Sequence, residues 1–292
     1  MNNSSNDNSA LVLGGGGSTG NAWLIGVIAG LVDSGLDVTD ADLIVGTSAG
    51  ATAAAQIAGA NPMTLLASAL SAVPPPRTSP SGPVVDLLER SKRIIASATD
   101  AADMRRRMGA AAIERDAASD GDWTERWRAM VAPRLPRHDW PDRDILITAI
   151  DAETGEPVVF DRGSGVDLVD AIASSTSSGS PYSIGSRRYL DGGYRRNENA
   201  DLAAGYDRVL VLSPFGGRSL HPVEWGMDLA AQVDELSAGG SVVETVFPGS
   251  DSEHLFGTNA MDPTLRPTAA QAGYDLGRVL APQLSEFWTR IL

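Results

Sequence analysis

The apolar positions recur in one order: a short β-branched run, a glycine-rich turn, then a longer apolar or alanine-rich stretch. Ala10-Leu11-Val12-Leu13 leads into the glycines of 14–20, followed by an apolar-rich helical pattern over 21–34 that Gly35 closes. Leu43-Ile44-Val45 ends in Gly46-Thr47-Ser48-Ala49-Gly50, and an alanine-rich helical stretch over 51–60 begins at once. Two strand–turn–helix units in succession predict the start of a parallel α/β sheet. Proline opens a third helical pattern over 62–72, a position where its missing N–H costs nothing.

Further along, strands are expected over 144–150, 158–160, 188–190, 208–212 and 242–247, with a short helix over 166–173. The tail from Thr268 reads as a docking helix with Leu284, Phe287, Trp288 and Ile291 on one apolar face. The proline-rich run 73–83 reads as a loop opening an insertion, whose helical part covers about 84–136. Arg105-Arg106-Arg107 lies there between two methionines, and Trp123, Trp127 and Met130 share one helical face. Those side chains form either the insertion's own core or an apolar lid beside an acyl-binding cleft, with the arginines facing phosphate or lipid headgroups. The expected organisation is a disordered leader over 1–9, then one α/β domain over 10–292 interrupted by a helical cap at about 74–140.

Composition narrows the chemistry. A chain of 292 residues buries a large core, and its formal charge of −14 argues against a nucleic-acid binder, which needs a basic face. Without cysteine there is no disulfide, thiol nucleophile or thiolate metal site, and no residue cluster calls for a metal or other cofactor. The polar first residues lack the basic and apolar segments of a signal peptide, and no apolar stretch is long enough to span a bilayer. A cytoplasmic location is the default expectation.

Ser48, at the apex of a strand–turn–helix, has the setting of a nucleophile: Gly46 and Gly50 let neighbouring backbone come close, and the next helix aims its N–H groups at developing charge. The turn Gly15-x-Gly17-x-x-Gly20 is the candidate oxyanion hole, since positions without side chains let several amides converge on one oxygen. The same spacing occurs in dinucleotide-binding turns, but those need an acidic residue ending the second strand, where Ser48's turn stands instead. Among three histidines, only His254 is placed for a triad, and nothing around it reads as a catalytic loop. Asp191, after a strand and before Gly192-Gly193, is the stronger base. A free aspartate sits about three units below neutral, so such a pair needs a strong oxyanion hole.

Gly15-Gly16-Gly17-Ser18-Thr19-Gly20, Gly46-Thr47-Ser48-Ala49-Gly50 and Asp191-Gly192-Gly193 resemble the three ordered motifs of the patatin-like phospholipase family. The serine-rich approach to Pro181, the stretch following Asp191 and Asn259-Ala260-Met261-Asp262-Pro263 are similar too. The resemblance implies a three-layer α/β/α sandwich with a mainly parallel central sheet. It also implies a serine acyl-ester hydrolase of phospholipase A, lysophospholipase or carboxylesterase type. Ser48 is then the nucleophile, Asp191 the general base, and the amides of Gly15, Gly16 and Gly17 the oxyanion hole. Gly20, Gly46, Gly50, Gly192 and Gly193 support the motifs. The implied partner is a lipid or other acyl ester, met through transient membrane-surface contact; the alternative is a catalytically weak lipid- or partner-binding member of the same fold. The family usually has Arg or Lys where this chain has Thr19. Arg187, Arg188, Arg195 and Arg196 are the candidates to replace that charge.

Overall fold

The computed structural model describes residues 8–71, 83–118 and 123–289. Most of the expected leader, residues 73–82 of the proline-rich loop and Ile291 lie outside the described residues, and Pro83, expected in that loop, is the first residue of a helix. The sheet is built on β1 (Ser9–Leu13), so Ser9, assigned above to the leader, is the first strand residue. It continues with β2 (Leu43–Gly46), β3 (Asp144–Asp151), β4 (Pro157–Phe160), β5 (Tyr182–Ile184), β6 (Arg187–Asp191), β7 (Arg208–Leu212) and β8 (Val242–Val246). The order is β5-β6-β3-β2-β1-β7-β8, with β4 also on β3. Strands β8, β7, β1, β2 and β3 are parallel neighbours, and β4, β5 and β6 pair antiparallel.

Alternation of side chains along the strands gives each face its own core. Leu11, Leu13, Ile44, Leu210 and Leu212 face one side, with helices α1 (Gly17–Asp33), α2 (Ala49–Gly59), α3 (Pro62–Leu70), α7 (Leu168–Ser175) and α9 (Arg266–Thr289). Ala10, Val12, Val45, Val209 and Val211 face the other, covered by α8 (Leu229–Ala238) and a 3-10 turn at Ala200–Ala203. The result is the expected layered α/β arrangement of a central sheet flanked by helices. Helix α1 starts at Gly17, inside the glycine run, rather than at residue 21.

The seam between α1 and α9 is made of glycines. A Cβ on Gly26 would lie 2.1 Å from Ala270 O, and one on Gly30 would lie 2.2 Å from Tyr274 O. Reciprocally, a Cβ on Gly273 would lie 2.3 Å from Trp23 O, and one on Gly277 would lie 2.3 Å from Val27 O. The two backbones therefore touch, which fixes how α1 presents its first turn. The expected apolar docking face is present as well, with Leu284 and Trp288 buried.

The insertion forms α4 (Pro83–Ser97), α5 (Ala101–Ala117) and α6 (Trp123–Val131). Met104 and Met108 are buried with Ile95 and Met227. Trp123 and Trp127 stack with centroids 5.2 Å apart, whereas Met130 is 46% exposed, so the expected three-residue face is shared by only two. The arginine cluster is turned to local partners: Arg105 Nε donates to Gly155 O at 2.7 Å, and Arg106 and Arg107 pair with Asp103 on their own helix. Among the described residues, no helix is long and apolar enough to cross a membrane.

Candidate active site

Two strands meeting end to end bring Ser48 and Asp191 together. Strands β4 and β6 both pair with Ala149 and Ile150, so they occupy opposite edges of β3; β2 and β4 both pair with Ile147, so these too are on opposite edges. Hence β2 and β6 share one edge and run toward each other, Gly46 opposite Ile147 and Asp191 opposite Ala149. Thr148 lies in the gap, where both chains must leave the sheet. Thr47 Oγ1 lies 2.9 Å from Thr148 Oγ1, and a Cβ on Gly192 would fall 2.1 Å from that same hydroxyl. Only a residue without a side chain can follow Asp191 there.

Ser48 has φ 53° and ψ −114°, a left-handed backbone that a non-glycine residue adopts only when its surroundings enforce it. Three contacts do so. The Thr47 amide donates to Leu13 O at 3.1 Å, the Gly50 amide donates to Thr47 O at 2.8 Å, and the Ser48 amide donates to Ser175 Oγ at 2.9 Å. A Cβ on Gly50 would stand 1.9 Å from Leu13 O, which is why the elbow closes with glycine.

Asp191 is 6% exposed. Its carboxylate accepts from Ser178 Oγ at 3.0 Å and the Gly193 amide at 2.8 Å, and the Ser48 side chain lies close enough to act on its proton affinity. Burial pushes its proton affinity above the ordinary aspartate range, opposed by the nearby Ser48 side chain and by the hydrogen bonds from Gly193 and Ser178. No imidazole is among these partners. His254 instead faces Asp251 O and His138 faces Ala132 O, both exposed, while His221 is paired with Ser219 and pushed down to about 4 by burial.

The glycine turn departs from expectation at one residue. The Gly15 amide donates to Asn197 O at 3.0 Å, so it holds the turn rather than facing an open space. Among the described residues, the amides of Gly16 and Gly17, and that of Ala49 after Ser48, donate to no protein atom. These are first-turn N–H groups of α1 and α2, the orphan donors of helix starts. Thr19 is buried, its amide donating to Ala260 O at 3.0 Å, so the tail segment 259–263 closes over the turn. The arginines named as substitutes for a cation there are engaged elsewhere: Arg188 with Glu153, Arg195 with Asp201, and Arg196 with Glu235 and Asp201. Arg187, the first residue of β6, is exposed.

Several supporting residues escaped the sequence reading. Asn199, left-handed at φ 53°, lies with Nδ2 2.6 Å from Arg196 O, 3.0 Å from Thr47 Oγ1 and 3.3 Å from Gly192 O, joining the elbow to the aspartate corner. Glu198, buried and raised by burial, accepts from Ser213 Oγ at 2.6 Å and Asn197 Nδ2 at 2.9 Å. A lone threonine inside the apolar strand β3 was the available signal. Asn199→Ala is expected to cost about 1–3 kcal/mol, because buried hydroxyls lose their partner; a thermal melt checks it.

A family model described as Patatin-like phospholipase matches residues 11–204. A search of curated protein sequences finds none that matches. Solved structures similar to the chain include VipD from Legionella pneumophila, 13% identical with a TM-score of 0.43 over 95% of this chain and 67% of VipD. Another is the type III effector protein ExoU, 19% identical with a TM-score of 0.40 over 97% of this chain and 54% of ExoU. The chain thus spans about two thirds of VipD and about half of ExoU. Since the matched region covers about two thirds of the chain and takes in both glycine turns, Ser48 and the Asp191 corner, the chain belongs to the patatin-like phospholipase family.

Proposed function

We propose that the protein hydrolyses acyl esters of lipids through a Ser48–Asp191 pair, with the free amides of Gly16, Gly17 and Ala49 receiving the oxyanion. The observation that carries this reading is a strained elbow that sets the Ser48 side chain beside the buried Asp191 carboxylate, which no imidazole attends. The Ser48 oxygen attacks the ester carbonyl as Asp191 takes its proton; the tetrahedral oxyanion forms against the amides; Asp191 returns the proton to the departing alkoxide. Water then enters, gives a proton to Asp191 and cleaves the acyl-enzyme, and the proton returns to Ser48. Burial makes Asp191 a stronger base than an exposed aspartate, which brings it nearer to the working pH. Leu190, Met108, Ile94 and Tyr194, together with Arg90 and Arg115, line a small cavity between the insertion helices and the end of β6.

A fluorophosphonate probe tests the nucleophile directly. The wild type is expected to label once, with the mass shift mapping to the peptide that contains Ser48. A wild type that stays unlabelled, or a label on another serine, overturns the reading. In the same sample, a panel of p-nitrophenyl esters and phospholipids separates carboxylesterase from phospholipase activity.

A further inference from the structure

The first residue of α9 reaches back to the first turn of α1. Arg266 Nη1 donates to Ser18 O at 2.7 Å, and Nη2 donates to Asn21 Oδ1 at 3.1 Å. Asn21 in turn donates through Nδ2 to Gln56 Oε1 at 2.9 Å and lies 3.4 Å from Ala49 O. The guanidinium therefore grips the first turn of α1, and Asn21 carries the connection on to Ala49 at the start of α2.

Stability alone does not explain a cation here. Arg266 is half-buried and makes no ion pair with a carboxylate among the described residues, although the chain carries a formal charge of −14. Burial holds its proton affinity below the usual arginine range, and the neighbouring Arg134 lowers it further. It also sits at the positive end of α1 and at the start of its own helix, both positions where a cation is unfavourable. Positive charge collected at a helix start is costly at rest and favourable when a negative charge forms beside it.

We propose that Arg266 is a positioning residue for the amide cradle: it locks the first turns of α1 and α2 in register and raises the positive potential where the oxyanion forms. This rests on the Ser48 reading above. The glycine seam supplies the rigidity, since backbone contact between α1 and α9 holds the guanidinium at a fixed height along α1.

The test compares wild type, Arg266→Met and Arg266→Lys by fluorophosphonate labelling rate, p-nitrophenyl ester kinetics and thermal melts. Arg266→Met is expected to melt cooperatively and keep KM, while kcat and labelling rate fall by about 10- to 100-fold. Lysine keeps the charge but not the forked geometry, so it recovers part of the rate. Millimolar guanidinium is expected to speed Arg266→Met and leave wild type unchanged. Should Arg266→Met fail to fold, Arg266→Lys carries the test, and a lysine variant labelling at the wild-type rate overturns the proposal. So does Arg266→Met labelling normally, or a loss that only follows the folded fraction. An unlabelled wild type removes the Ser48 reading and this inference with it.

Discussion

Replacing Asp191 with asparagine is expected to lower kcat/KM for a p-nitrophenyl ester by about 10²–10⁴-fold, while raising the melting temperature at neutral pH. The two effects share a cause. Burial lifts the folded carboxyl above its ordinary 3.8, so the folded chain holds this proton more tightly than the unfolded chain does. Stability therefore falls as pH rises from the ordinary value through the raised one, and above that the full cost of an ionised buried carboxylate is carried. Asparagine carries no charge and still accepts from the Gly193 amide, so it removes the cost and the base together. The difference in melting temperature is expected to shrink to nothing as pH falls below the ordinary aspartate value. The acid limb of wild-type kcat/KM is expected to lie above that value, because only the ionised form takes the Ser48 proton. An asparagine variant that melts below wild type at neutral pH contradicts the account. Ser48→Ala is the companion: it loses the acyl-enzyme without gaining this stability, since the carboxylate stays.

The second large effect concerns the seam of α1 and α9. Gly273→Ala or Gly26→Ala puts a methyl carbon 2.3 Å or 2.1 Å from a backbone oxygen that has no flexible end to move. The helices must separate, at a cost of about 3 kcal/mol or more, which is a fall of roughly 6–12 °C in melting temperature. Activity is expected to fall further than stability, because α1 carries the Gly16 and Gly17 amides and α9 carries Arg266. A melting temperature within a degree or two of wild type would show that the seam is looser than the backbone contact implies. Circular dichroism melts and labelling of the surviving folded fraction separate the two consequences.

Much of the site was legible along the chain because its chemistry is local. A β-branched run, a turn that tolerates only glycine beside it, and an alanine-rich helix place Ser48 on an elbow wherever they occur together. Asp191 followed by two glycines marks a corner for a related reason: the next residue must pass a neighbouring hydroxyl with no side chain of its own. The order of strand, turn and helix also gave the parallel α/β sheet, since strands buried on both faces read as continuous apolar runs, while the three layers came from the resemblance of the motifs.

The partners were not legible. Gly15, Gly16 and Gly17 look equivalent in sequence, yet Asn197 O takes the first amide and leaves the other two free. Ser175 and Ser178 lie in a run of similar serines, and only the return of β6 along β3 shows which of them face Ser48 and Asp191. Four arginines near Asp191 looked able to supply a cation, whereas the one at the glycine turn comes from Arg266, 248 positions from its acceptor Ser18. The sequence alone determined which backbone shapes were permitted, because those depend on a residue and its immediate neighbours. Which groups meet across those shapes was decided by strand order and by the α1–α9 seam, because hydrogen bonds and ion pairs act over a few ångströms of space rather than along the chain.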